Sequence, residues 1–171
     1  MAIRAIAREQ SLGWLLGFLA ASFGAAALGG LLTARSIDSW YRTLRRPAWT
    51  PPDWVFGPVW TALYAQIAVA AWLVRRAMRR EPAQTGAGAA ALVAWGVQIF
   101  LNVAWSAVFF GGRSVAGGLG VIAALWTAIA ATAALAARVT GPAGALLLPY
   151  LAWTTFASAI NFRLWQLNRR R

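Results

Sequence analysis

The sequence contains no cysteine, no histidine and no lysine, and it has only four acidic residues. The first two absences exclude disulfides, thiol nucleophiles, imidazole bases, the usual zinc sites and the commonest axial ligands of haem. We predict no metal site. The four acids, Glu9, Asp38, Asp53 and Glu81, lie at the ends of apolar stretches or between them. No conventional acid–base pair is therefore expected inside those stretches, which favours binding over conventional catalysis.

The charge of the chain comes almost wholly from 16 arginines, which give a formal net charge of +12. On a soluble protein such a charge would suggest a nucleic-acid partner. Here, however, 60% of the residues are apolar and only 12% are charged, with the charges clustered between long apolar runs. The composition therefore predicts an integral membrane protein whose arginines face lipid headgroups, with no nucleic-acid partner.

The apolar runs predict an all-α membrane domain of five transmembrane helices that occupies the whole chain, 1–171. The predicted spans are residues 11–33, 53–74, 87–110, 114–137 and 142–164. Each is long enough for a hydrocarbon core of about 30 Å at a rise of ~1.5 Å per residue. The first connection, from Ala34 to Pro52, is the only long one, and we predict that it acts as a lid.

Two further patterns concern packing and orientation. Small residues recur at every fourth position of the first span, at Gly13, Gly17, Ala21, Ala25 and Gly29. Such stripes allow helices to approach closely, and we expect this one to pack within the bundle. With five spans, nine arginines lie on the side of the membrane that holds the C-terminus, and seven lie on the side that holds the N-terminus. The positive-inside rule then predicts a cytoplasmic C-terminus.

Aromatic residues are concentrated between Trp40 and Tyr64. This stretch of 25 residues holds four of the 11 tryptophans, four of the seven prolines and three arginines. Rigid rings beside guanidinium groups suit a flat, partly anionic molecule at a membrane surface. Tryptophans near span ends, such as Trp54 and Trp165, are equally typical of an interfacial belt.

Polar and aromatic side chains share helix faces inside the predicted spans. Gln98, Asn102 and Trp105 fall on one stripe of the third span. Amides within a membrane are costly unless they face the bundle or a cavity, so these two should point inward. Trp60, Asn102 and Trp153 lie at mid-span, where a belt does not explain tryptophan, and we predict that they line a pocket.

The fifth span carries a similar stripe. It consists of Trp153, Ala157, Ile160 and Asn161, with Phe156 alongside. Asn161 should point inward like the other amides. Its alternative role is an ordinary interhelical hydrogen bond, which we favour for this residue.

Together these motifs carry a resemblance to a known family. They read Trp40-Tyr41-x-x-Leu44-x-x-Pro47-x-Trp49-x-Pro51-Pro52-x-Trp54, then Pro58-x-Trp60-Thr61-x-Leu63-Tyr64, then Gln98-x-x-x-Asn102-x-x-Trp105, then Phe109-Phe110-Gly111, and finally Pro149-Tyr150-Leu151-Ala152-Trp153-x-x-Phe156-Ala157 with Asn161. In these motifs, in their order and in size, the chain resembles the translocator protein or tryptophan-rich sensory protein (TspO/MBR) family, once called the peripheral-type benzodiazepine receptor family.

The resemblance implies a five-helix bundle, often a homodimer, whose first loop covers a pocket near one membrane face. It also implies binding of porphyrins and other tetrapyrroles, of drug-like molecules and, in animals, of cholesterol. We expect a homodimer in a bacterial cell membrane, inner or outer. The predicted ligand-binding residues are Tyr41, Trp60, Gln98, Asn102, Trp105, Trp153, Phe156, Ala157 and Ile160.

We predict a membrane receptor or sensor for tetrapyrroles of the protoporphyrin type, which hands its ligand over or regulates tetrapyrrole metabolism. The porphyrin is its ligand, and no cofactor is required. Arg42, Arg45 and Arg46 are candidates to pair with the porphyrin propionates. Without histidine or cysteine, metal-free porphyrin suits the chain better than a redox haem.

Two alternatives remain. The first is a light-dependent enzyme that degrades porphyrin, with Trp60 and Trp153 carrying radical chemistry. The second is a translocator of sterols or other lipophilic molecules. Against sterols, the animal recognition pattern requires a tyrosine where this chain has Phe162, followed by Arg163. Against active transport, no ionisable residue lies at mid-span, and there is no evident internal repeat.

Overall fold

The protein is a bundle of helices, seen in a computed structural model that describes residues 2–169, with side chains described from Ser11 onward. The helices are α1 (Ala2–Ile37), α2 (Asp53–Arg80), α3 (Thr85–Ser106), α4 (Val115–Val139), α5 (Gly141–Ala145) and α6 (Leu148–Asn168). No strand occurs among the described residues. Five stretches are long and apolar enough to cross a membrane: Ser11–Ile37, Asp53–Arg80, Pro82–Gly111, Val115–Val139 and Gly141–Asn168. The prediction of an all-α protein with five membrane spans is therefore confirmed.

The helices extend further than the apolar runs from which they were predicted. Beyond the predicted spans 11–33 and 53–74, α1 continues to Ile37 and α2 to Arg80. Hydropathy reports only the part of a helix that lies in lipid, and arginine is itself a good helix former. After α3 the chain makes one π-helical turn, Ala107–Gly111, closed by a hydrogen bond of 2.7 Å from the Gly112 amide to the Ala107 carbonyl.

The first connection is shorter than predicted. It begins at Asp38 rather than at Ala34, because α1 continues through the expected loop, and it contains a 3-10 turn at Tyr41–Thr43. The Asn168 side chain on α6 holds it: Oδ1 accepts from the Arg45 amide and Nδ2 donates to the Arg45 carbonyl, each at 3.1 Å. The structure thus does not show a first loop as long as predicted, and the role of this segment as a lid stays a prediction. The connection is a packed segment attached to α6.

The fifth span is two helices rather than the single helix predicted over 142–164. Pro149 lies in the first turn of α6. Because proline has no N–H, it cannot donate the helical hydrogen bond to the residue four positions earlier, and the helix is interrupted before it. The Leu147 amide instead donates to the Gly144 carbonyl at 3.1 Å. A Cβ on Gly144 would lie 2.5 Å from the Ala137 Cβ and 2.9 Å from the Ala133 carbonyl, both on α4. Only glycine allows α5 to approach α4 so closely.

Two clusters of buried side chains form the core. The larger joins α2, α4 and the α5–α6 region, with Ile67, Ile129 and Leu147 almost wholly enclosed. The smaller joins the π-helical turn to α6, through Phe109, Phe110, Ile160 and Leu164, and the aromatic residues of the first connection pack against it. Both clusters contribute residues to the cavity described below.

The small-residue stripe of α1 turns away from the bundle at its N-terminal end. A Cβ on Gly29 would lie 3.2 Å from the Ser106 Oγ, but one on Gly13 or Gly17 would meet nothing within 4 Å. Ala21 is exposed. The prediction that the stripe packs within the bundle is therefore wrong for this end. The physical reason is that a spacing of four residues overshoots a turn of ~3.6, so the stripe drifts around the helix.

The predicted orientation stays a prediction. Four of the arginines on which it depends lie outside the part of the chain whose side chains are described: Arg4, Arg8, Arg170 and Arg171.

Candidate ligand-binding site

A cavity of about 370 Å³ lies in the bundle next to the first connection. Its volume is in the range of small-molecule sites, ~300–1,000 Å³. Apolar and aromatic side chains make up most of its wall, and a few polar groups interrupt them. The lining residues are Ala26, Gly29, Gly30, Thr33, Ala34, Ile37, Tyr41, Asp53, Phe56, Gly57, Trp60, Tyr64, Asn102, Trp105, Ser106, Phe109, Phe110, Ile122, Leu125, Trp153, Thr154, Ala157, Ile160, Asn161 and Leu164.

The structure brings most of the predicted ligand-binding residues into this wall and leaves some out. Those that line the cavity are Tyr41, Trp60, Asn102, Trp105, Trp153, Ala157 and Ile160. Gln98 does not line it, because it lies one helical turn beyond Asn102 and is completely buried. Phe156 packs behind the wall, with its ring 5.7 Å from those of Trp49 and Trp153. The three candidate arginines, Arg42, Arg45 and Arg46, do not line it either.

Asn102 links two tyrosines in the interior of the bundle. Its Oδ1 accepts a hydrogen bond of 2.7 Å from the Tyr64 hydroxyl, and its Nδ2 donates one of 2.8 Å to the Tyr150 hydroxyl. All three side chains are buried, and Tyr64 and Asn102 reach the cavity surface whereas Tyr150 lies behind them. We call this chain the Tyr–Asn–Tyr triad. It joins α2, α3 and α6 and presents an amide to the cavity.

A second amide, Asn161, joins α6 to α3 and α4. Its Oδ1 accepts from the Trp105 indole at 3.2 Å, and its Nδ2 donates to the Val115 carbonyl at 3.0 Å. A Cβ on Gly118 would lie 3.0 Å from that Oδ1 and 2.7 Å from the Phe109 ring, so glycine is needed there. Asn161 is buried and points inward, and it makes the interhelical hydrogen bonds that its position favoured.

Aromatic rings surround the cavity in defined orientations. Trp60 is tilted against Tyr64, with ring centroids 5.5 Å apart, and meets the edge of Tyr150 at 6.1 Å. Across the cavity wall, Trp105 stacks on Phe109 at 5.1 Å and 20°. Such contacts fix ring planes in advance, which suits a rigid, flat ligand.

Trp153 carries a polar group that the protein does not use. Its indole Nε1 is buried, and no acceptor for it exists among the described residues. The neighbouring rings of Phe56 and Phe156 are apolar. Buried indole N–H groups usually have a partner, so this one, in a residue of the cavity wall, is an unused donor that requires an explanation.

The cavity mouth is polar. Arg46 lies over the Tyr41 ring, with its guanidinium carbon 5.5 Å from the centroid. Burial raises the pKa of the Tyr41 phenol, Arg46 opposes that shift, and Asp53 adds to it. The phenol therefore stays protonated at neutral pH. Arg42 instead pairs with Asp38 at 3.1 Å on an exposed surface.

The wall of the cavity between α1 and α2 is formed by small residues, and we expect the cavity to open there. Gly30 and Ala34 of α1 and Gly57 of α2 line it, and all three are exposed. A Cβ on Gly30 or Gly57 would meet nothing within 4 Å. These residues belong to two membrane spans, so a gap between them would face lipid in a bilayer.

Several wall residues were not predicted from the sequence. Phe109 was part of a recognised motif, and Tyr64 follows Trp60 at i+4, so both carried a usable signal. Asp53, Phe56 and Ser106 carried none, because they belong to the wall only through the packing of α1 on α2 and α3. No group of three acidic, histidine or cysteine side chains that could hold a metal occurs within the described residues.

Comparison with known proteins agrees with the geometry. The sequence model of the TspO/MBR family matches residues 18–166. The tryptophan-rich protein TspO of Chlorobaculum tepidum is 40% identical over 141 residues, which cover 82% of this chain and 86% of that protein. Protein CrtK of Rhodobacter capsulatus is 38% identical over 155 residues, 90% of this chain and 94% of its own. The translocator protein of Bos taurus is 35% identical over 152 residues, 85% and 86% of the two chains.

Proposed function

The chain belongs to the TspO/MBR family of multi-pass membrane proteins, and from this membership and the cavity we propose that it is a receptor or sensor that binds tetrapyrroles of the protoporphyrin type. The observation that carries the proposal is the aromatic wall with one unused donor, the Trp153 indole. A porphyrin is a flat π-system with carboxylates on one edge. Trp60 and Trp153 contact its face or edge, and the Trp153 Nε1 or the Asn102 amide supplies the hydrogen bond that fixes its orientation.

Titration with metal-free protoporphyrin tests this proposal. We expect saturable quenching of tryptophan fluorescence in vesicles that contain the protein, beyond that in empty vesicles. Trp60→Phe and Trp153→Phe should each raise the Kd by about tenfold, because the smaller ring gives up part of a central contact and, at position 153, the indole donor is lost as well. Trp54→Phe is the matched control, because Trp54 is 75% exposed and does not line the cavity.

Two results would contradict the proposal. One is quenching that never saturates, or that equals the quenching in empty vesicles. The other is an equal Kd for all three tryptophan variants, which would show that porphyrin binds outside the cavity. We propose binding rather than turnover. Illumination of the same samples tests the enzymatic alternative, which requires product absorbance beyond that of free porphyrin and its loss in Trp153→Phe.

Arg46 is the arginine best placed to meet a propionate at the cavity mouth. It contacts Tyr41, a wall residue, whereas Arg42 is paired with Asp38 and away from the wall. We expect Arg46→Gln to weaken protoporphyrin binding about three- to tenfold, since a charge-assisted hydrogen bond is lost. Binding of the dimethyl ester of protoporphyrin should change little. Arg42→Gln is the control and should leave both ligands unaffected; equal effects of the two variants would argue against a role for Arg46.

We further propose that the protein is a homodimer joined through α1. An exposed strip of α1 consists of Gly13, Gly17 and Ala21, whose side chains are no larger than a methyl group. Such a strip suits close contact between helices in lipid. Because the chain has no cysteine, a single thiol can report on this surface. Gly17→Cys should form a disulfide-linked dimer under mild oxidation in vesicles. Gly120→Cys, on the exposed side of α4, should not; equal dimer yields would contradict an interface at α1.

A further inference from the structure

Gln98 is a buried amide without a hydrogen-bond partner. Its exposed fraction is 0%, and neither Oε1 nor Nε2 has a partner within residues 11–169. A side-chain amide left unpaired in an apolar interior destabilises the folded state. Leucine would fill a similar volume without that cost. An unpaired glutamine beside a ligand cavity therefore calls for a physical explanation.

The position of Gln98 places it next to the Tyr–Asn–Tyr triad. It lies on α3 between Trp95, whose indole donates to the Ile67 carbonyl at 3.2 Å, and Asn102, which bonds Tyr64. Both neighbours thus face α2, and Gln98 precedes Asn102 by four residues on the same side of the helix. Side chains on a helix lean towards its N-terminus, so the Asn102 amide, to which both tyrosines bond, is directed towards the turn that carries Gln98.

The hydrogen-bonding capacity of the triad is not filled. Tyr64 donates to Asn102 and can still accept, and Tyr150 accepts from Asn102 and can still donate. Gln98 carries both an acceptor and donors, so its amide can serve either hydroxyl. If Asn102 turns to a ligand and gives up its bond to Tyr64 or Tyr150, that tyrosine hydroxyl loses its partner. That loss would oppose ligand binding unless another group replaced Asn102.

We infer that Gln98 is this replacement: a positioning residue that hydrogen-bonds a triad tyrosine when Asn102 turns to a ligand. The Gln98 amide is unpaired in the ligand-free protein because its partner, a tyrosine hydroxyl, becomes available only when Asn102 lets it go. The half of the inference that concerns ligand rests on the proposed function. The half that concerns the tyrosines does not, because removal of the Asn102 amide by mutation leaves the same hydroxyls unpartnered.

A double-mutant cycle on the ligand-free protein tests the second half. Asn102→Ala should lower the Tm, and Gln98→Leu alone should leave it unchanged or raise it. The Tm of the double variant should fall further than the sum of the two single changes, by about 2–4 °C more. This is the shift in Tm that ~1 kcal/mol produces in a chain of this size. Asn102→Thr provides a milder cycle if the double variant does not fold.

Ser22→Ala is the matched control for this cycle. Ser22 is also fully buried and its hydroxyl is also unpaired among the described residues, but it lies on α1 outside the triad. Its effect should add to that of Asn102→Ala without coupling. Additive behaviour of Gln98→Leu in both cycles would overturn the inference, because Gln98 would then be only an unpaired core residue.

Ligand binding provides the second readout. Gln98→Leu should raise the Kd of metal-free protoporphyrin about fivefold, roughly 1 kcal/mol. The Kd of a metal-free porphyrin with only alkyl substituents should stay unchanged, because that ligand has no carboxylate to hydrogen-bond Asn102. Equal Kd values for native and variant protein with both ligands would overturn the role in binding. If the native protein binds neither porphyrin, the proposed function fails, and the stability cycle alone decides the role of Gln98.

Discussion

Replacement of Asn102 by leucine is expected to destabilise the bundle by about 1–3 kcal/mol, the cost of one buried hydroxyl left without a partner, because Gln98 can serve only one of the two tyrosines. Leucine has a similar volume but offers neither the acceptor for Tyr64 nor the donor for Tyr150. The triad joins three spans, so its loss acts on the packing of α2, α3 and α6 together. Thermal and denaturant unfolding in the same lipid mixture measure the change.

A triple variant separates the loss of hydrogen bonds from the change in shape. In Tyr64→Phe, Asn102→Leu, Tyr150→Phe no polar group of the triad remains unpaired, so most of the lost stability should return. Thr155→Val is a control that breaks the bond of 2.8 Å between Trp126 and Thr155 on the exposed surface and should change stability by less than about 0.5 kcal/mol. A triple variant as unstable as Asn102→Leu alone would show that shape, not hydrogen bonding, is what Asn102 supplies.

Closure of the gap between α1 and α2 is expected to slow ligand entry. Gly30→Leu places an isobutyl group where a Cβ now meets nothing, in the part of the wall where we expect the cavity to open to lipid. The association rate of metal-free protoporphyrin from vesicles should fall about tenfold, which equals ~1.4 kcal/mol in the barrier. Stopped-flow quenching of tryptophan fluorescence measures that rate.

The control for this prediction is Gly120→Leu. Gly120 is likewise an exposed glycine in a membrane span, where a Cβ meets nothing, but it is on α4 and does not line the cavity. Its association rate should equal that of the native protein. An unchanged rate for Gly30→Leu would mean that ligand enters past the first connection, between Tyr41 and Arg46, and not between the helices.

The spans and the inward direction of the amides could be predicted from the sequence because the membrane imposes simple rules. Apolar length identified five spans, and the cost of a polar group in hydrocarbon placed Asn102 and Asn161 inside. Helix ends were less accessible, since no rule of hydropathy says how far a helix continues beyond the lipid. The break before α6 had a local signal in Pro149, which the continuous apolar run concealed.

The depth and outline of the cavity could not be predicted, because they depend on contacts between distant segments. Gln98 and Asn102 share one helix face, yet only Asn102 reaches the cavity, since the triad closes it at that level. Arg42 and Arg46 are near neighbours in sequence, but the 3-10 turn directs Arg46 to Tyr41 and Arg42 to Asp38. Periodicity identifies residues that share a helix face, but it does not show how far along that face a pocket between the helices extends.

The opening expected at Gly30 and Gly57 also determines the solvent from which the protein takes its ligand. A flat hydrophobic molecule dissolves in bilayer hydrocarbon far better than in water, because its apolar surface leaves water on transfer. Occupancy of the site then follows the mole ratio of ligand to lipid rather than the aqueous concentration. Addition of empty vesicles at constant total ligand would lower the ratio of ligand to lipid, and ligand would dissociate from the protein. Two preparations with an identical site and different amounts of lipid would report different dissociation constants, and only values expressed per mole of lipid would agree.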